Sequence, residues 1–159
     1  MPFTFRFAIV LRHRQYLLKQ AQVAFAAAQV RYETIEARIQ AAISTISRQV
    51  RVLEERQSEG MTVADYLAHK RYLQSLERHL LILERDREEA LRVMEDRKKE
   101  LLEKRKGVRM LELLEEKDRE EYRYLQGKKD QKRMDEIASY QDSPDKKITR
   151  SNEDEHETV

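Results

Sequence analysis

Hydrophobic residues in the first third of the chain return at alternating intervals of four and three. Stepping from Phe7 in this way reaches Phe7, Leu11, Arg14, Leu18, Ala21, Phe25, Ala28, Tyr32, Ile35, Ile39, Ala42, Ile46, Gln49 and Leu53. Only Arg14 and Gln49 in that series are neither apolar nor Tyr. A seven-residue repeat kept over more than six heptads makes two helices wind around each other left-handed, because a 3.6-residue helix must supercoil to hold the seam against its partner. No Pro or Gly falls between Phe3 and Glu59. The pattern therefore predicts a helix over about residues 3–57.

The segment Ser58-Glu59-Gly60-Met61-Thr62 carries a stop and a start in quick succession. Gly60 can adopt the left-handed conformation that closes a helix C-terminus. Thr62 can cap the next helix, with Asp65 three residues on completing an approximate capping box. Signals this close together predict a tight reversal over 58–62 and two antiparallel helices. The second helix is expected over about residues 63–140. Its seam runs through Tyr66, Leu73, Leu76, Leu80, Leu83, Ala90 and Met94, then thins to Leu101, Val108 and Leu111. Gly107 and Gly127 lower helix stability and mark soft points. Ser143-Pro144 ends the pattern, and residues 141–159 read as a disordered acidic tail.

The expected fold is thus all-α: one antiparallel two-helix coiled-coil hairpin over residues 1–140, with the second helix longer than the first. With Gly60 as pivot, residue n faces residue 120 − n, which places Phe7 near Leu113. The second helix then overhangs by about 25 residues, on the order of 38 Å at 1.5 Å per residue. This overhang carries Tyr122, Tyr124, Leu125, Met134 and Ile137 with no intramolecular partner expected. Isolated helices of that length are marginal in water, so the pattern calls for another protein to pack there. Val10, Leu17, Val30, Ile43 and Val50 add apolar positions to the first helix of the kind a four-helix dimer would need.

Composition supports a narrow seam rather than a wide core. Charged residues make up 39% of the 159-residue chain and aromatics 7%, with 3 Gly, 2 Pro and no Trp. That is the composition of long helices and coiled coils. The formal net charge is only +2, but it is unevenly spread. Residues 1–32 hold Arg6, Arg12, Arg14, Lys19 and Arg31 and no acid, whereas 141–159 carry a net −3. The acid-free end suits an acidic partner, a nucleic acid or a membrane surface, or else solvates one helix face.

Several kinds of chemistry drop out. With no cysteine there is no disulfide, thiolate metal site or cysteine nucleophile. His13, His69, His79 and His156 include no pair at ligand spacing and no HExxH. There is no Walker loop or GxSxG, and a two-helix hairpin has no concave site in which polar groups converge. No catalytic residue, metal or cofactor, and no small-molecule substrate, is expected. The basic clusters Arg97-Lys98-Lys99 and Lys104-Arg105-Lys106 are diluted by acids and lack interleaved aromatics, which argues against nucleic-acid binding. The apolar positions of residues 3–18 continue the seam instead of forming a broad membrane face, and no run is long enough to span a bilayer.

Three local features resemble one family. The opening Phe3-Thr4-Phe5-Arg6-Phe7 with Leu11-Arg12, the segment Tyr72-Leu73-Gln74-Ser75-Leu76-Glu77, and the run Lys129-Asp130-Gln131-Lys132-Arg133-Met134-Asp135-Glu136-Ile137-Ala138 are similar to FliJ, a coiled-coil component of the bacterial flagellar type III export apparatus. The resemblance covers nearly the whole helical chain. It implies a non-enzymatic stalk that stands in the pore of the hexameric export ATPase, stimulates it, couples it to the export gate membrane protein and escorts export chaperones. It further implies a cytoplasmic protein, peripheral at the cytoplasmic face of the inner membrane at the flagellar base, serving flagellum biogenesis and motility. The paired helix ends, about residues 3–20 and 105–138, would enter the ring. Phe7, Leu11, Arg12, Arg14, Tyr122, Leu125, Met134, Asp135 and Ile137 are the candidates there, and Tyr72, Leu76 and His79, at i, i+4 and i+7, are candidates for the gate. The same shape also suits the stalk of a virulence-type secretion system or a structural tethering coiled coil.

Overall fold

The computed structural model describes residues 2–141. Of the acidic tail expected over 141–159, residues 142–159 lie outside the described residues. Two helices account for the fold: α1, Ala8–Glu59, and α2, Val63–Gln141, of 52 and 79 residues. The linker is Gly60–Thr62. Gly60 has φ 97°, a left-handed value that glycine alone adopts at little steric cost. The Thr62 hydroxyl accepts the Asp65 N–H at 3.2 Å, and the Thr62 carbonyl accepts the Tyr66 N–H at 3.1 Å. Thr62 is therefore the N-cap of α2 and satisfies a donor that the first turn would otherwise leave open.

The chain divides into two compact units. The larger, Ile9–Arg109, contains the hairpin. At its centre Ile35, Ile39, Leu83 and Ala90 are buried together, with Tyr32, Ala42 and Leu80 packed against them. Ile39 is only 2% exposed. Every α1 seam position from Leu11 to Leu53 is buried or half-buried except Arg14, and so are Tyr66, Leu73, Leu76, Leu80, Leu83, Ala90, Met94, Leu101 and Val108 on α2. The heptad thus assigns the buried face of both helices.

The register differs by two residues from the expected one. Glu36 meets Arg87 and Arg14 meets Gly107, so facing residue numbers total about 122. The pivot is Met61, the middle of a three-residue linker, and not Gly60. Arg87 Nη1 lies 3.5 Å from Glu36 Oε1, both side chains about one-third exposed. Such a pair adds on the order of 0–1 kcal/mol, and it marks register more than it stabilises. Tyr32 donates its hydroxyl to the same carboxylate at 3.1 Å. That hydrogen bond to Glu36 is the main cause of a tyrosine pKa raised above its usual 10.0. Gly107 lies inside α2 with the Arg14 side chain against it. A Cβ there would come within 2.7 Å of the Arg14 guanidinium, so the glycine makes room for the one charged side chain at a seam position of early α1.

The smaller unit combines Met1–Ala8 with Met110–Val159, of which 2–8 and 110–141 are described. Here the structure corrects the expected start of the first helix. Residues 2–5 are not helical, a turn occupies 6–7, and α1 begins at Ala8; the Ala8 N–H donates to the Phe5 carbonyl at 3.2 Å. The physical reason lies in the period. Phe3, Phe5 and Phe7 are buried or half-buried while Thr4 and Arg6 are exposed, and a helix would turn Phe5 to the side opposite Phe3 and Phe7.

Candidate functional site

The N-terminal segment covers part of the presumed overhang. The Phe3 and Tyr122 rings stand 5.6 Å apart, tilted by 56°, and the Arg119 guanidinium lies 5.4 Å from the Phe3 centroid. Phe5 is buried. Phe7 meets it edge-on at 5.8 Å, and the Arg6 guanidinium lies 4.7 Å from the Phe7 centroid. On α2 the half-buried positions continue through Leu111, Leu114, Glu115, Asp118 and Tyr122 to Gln126. Tyr122 therefore has an intramolecular partner, contrary to expectation, and Phe7 is half-buried instead of presented.

Beyond Gln126 every described side chain on α2 is exposed. Tyr124, Leu125, Met134, Ile137 and Tyr140 are each more than half exposed, Met134 at 69%. Asp135 is exposed beside Met134. Lys128 folds its ammonium over the Tyr124 ring at 4.6 Å. These apolar groups do not form one stripe. At about 100° per residue, Met134 and Ile137 share a side while Leu125 lies roughly 180° from Met134. Apolar contact area is thus distributed around the circumference of a charged rod.

The remaining candidates fall in the larger unit. Leu11 is buried and belongs to the seam, which removes it from the presented set. Arg12 is exposed; Arg14 is exposed as well, with its guanidinium end over Gly107. Tyr72 and His79 are exposed and Leu76 is half-buried. The i, i+4, i+7 stripe is therefore an edge of the seam, with Leu76 turned partly inward.

Two features escaped the periodic reading. Arg87 and Glu36 fill seam-adjacent positions as a pair, which charge alone does not reveal among so many like residues. Ile9, Tyr16 and Val23 are exposed on α1 at 81%, 58% and 65%, and lead at steps of seven to Val30, an expected second-face residue exposed at 61%. Their seven-residue spacing was present in the sequence, masked by the stronger seam beside it. Among the expected second-face residues, Val10, Ile43 and Val50 are exposed and Leu17 is half-buried.

Among the described residues no helix is long and apolar enough to cross a membrane, and no group of three or more His, Asp or Glu side chains could hold a metal ion. No curated protein and no solved structure matches the chain. The profile of the flagellar FliJ protein family matches residues 3–143. That match spans the N-terminal aromatic segment, both helices and the terminal run around Met134. The chain belongs to the FliJ family of flagellar proteins.

Proposed function

We propose that this protein is a non-enzymatic stalk of the flagellar export apparatus, which binds within the export ATPase ring through the free end of α2. The observation that carries this reading is the distribution of apolar groups past Gln126. A partner helix lying along one side would call for a single stripe. A ring surrounds what it holds and meets it from all sides, so Leu125 and the Met134–Ile137 pair, on opposite faces of the rod, suit enclosure. The acidic and basic residues between them leave each contact small, as a rod that must turn or shift within a pore requires. Arg12, exposed in an acid-free stretch, adds a cationic contact for acidic groups of the ring.

Under this proposal the linker end of the hairpin faces the export gate, with Tyr72 and His79 offering exposed groups on either side of Leu76. Escort of export chaperones is part of the same proposal. The test is ATP turnover by the matching purified export ATPase. The full chain is expected to raise turnover, and Met134→Ser with Ile137→Ser to remove most of the rise while leaving helicity by circular dichroism unchanged, since both side chains are exposed. Undiminished stimulation by the double variant would place the ring contact elsewhere.

A further inference from the structure

The outer face of α1 has the form of a second, unfilled coiled-coil seam. Ile9, Tyr16, Val23 and Val30 recur at intervals of seven and all are exposed. At about 100° per residue they fall within roughly 60° of one another around the helix. Between them Tyr16, Lys19, Gln20, Val23, Ala24 and Ala27 line an apolar groove of ≈ 450 Å³. The Tyr16 hydroxyl accepts a hydrogen bond from Gln20 Nε2 at 2.7 Å along the groove wall. Small residues at 24 and 27 beside larger ones at 16 and 23 make the alternation of holes and ridges into which another helix sets its knobs.

The charges that α1 itself places beside this groove are all of one sign. Lys19 and Arg31 flank the stripe, and no acidic residue occurs before Glu33. Two copies of this face would bring cations against cations, which disfavours self-pairing. A bilayer requires a broad face of bulky apolar groups, whereas this stripe offers about one large apolar side chain per two turns. A helix with a narrow apolar seam and acidic edges meets both demands. We propose that the Ile9–Val30 face of α1 docks an amphipathic, acid-flanked helix from a partner protein, forming a local three-helix coiled coil. At 1.5 Å per residue the face is roughly 32 Å long, enough for three heptads of the partner.

This surface is separate from the free end of α2, and its test is separable from that of ring binding. The probe is a synthetic three-heptad peptide with apolar residues at the seam and Glu at the flanking positions, measured by fluorescence anisotropy against the full chain. A Lys-flanked version, anionic phosphatidylserine vesicles, and sedimentation of the chain alone complete the set. The Glu peptide is expected to bind. Val23→Gln with Val30→Gln, both tolerated on an exposed helix, should weaken it roughly tenfold or more, and Lys19→Glu with Arg31→Glu should do likewise. ATPase stimulation by the Gln variant should stay at the level of the unaltered chain. Equal binding of Glu and Lys peptides, or no loss in either variant, would overturn the proposal. So would vesicle binding without peptide binding, or a stable dimer that the Gln variant dissolves.

Discussion

Ile39 shows how much rests on single positions when the core is a seam one or two side chains wide. It is the most deeply buried large side chain of the hairpin and lies between Ile35, Leu83 and Ala90. Ile39→Ala should cost roughly 2–5 kcal/mol, because no neighbouring layer can collapse into the space; thermal melting by circular dichroism measures it. A loss well under 1 kcal/mol would mean that the two helices are not held by this seam. Ile39 was legible in the sequence, since the heptad count names it directly. Arg14 was legible only as an exception. Its reason, the space left by Gly107 on the other helix, required the register, and the register turned on a linker pivot displaced by one residue.

At the scale of the element, the helix boundaries separate what periodicity can and cannot say. The seam assigns α1 and α2 over most of their length, and the Gly60 stop and Thr62 cap divide them as their chemistry requires. The absence of Pro and Gly after Phe3 put the expected start of α1 about five residues too early. Their alternation of apolar and polar residues was itself the signal for an extended segment, but three rings in five residues also satisfy a helical step of four. The consequence is physical: Phe3 reaches Tyr122, so the exposed part of α2 starts later than the length difference implied. A double-mutant cycle of Phe3→Ala and Tyr122→Ala should give a coupling of about 0.5–1.5 kcal/mol in thermal stability. Strict additivity would show that the N-terminal segment does not hold α2 in solution.

At the scale of the whole molecule, the chain is two long helices rich in charge, and it belongs to a flagellar family matched over residues 3–143. The sequence carried the family resemblance because the run from Lys129 to Ala138 has no role in a seam, and all of it lies where α2 is exposed. It did not carry the distribution of the candidate residues. Leu11 and Tyr122 qualified by residue type, yet one is buried and the other half-covered, because side-chain identity does not say which face of a helix is already taken. What remains presented at the end of α2 is Leu125, Met134, Asp135 and Ile137, on more than one side of the helix. The most direct test removes that end. ATP turnover of the matching flagellar export ATPase should rise with the full chain and return to its basal rate with a chain truncated before Lys128, both proteins being helical and folded. Equal stimulation by the truncated chain would contradict a ring contact made by the free end of α2.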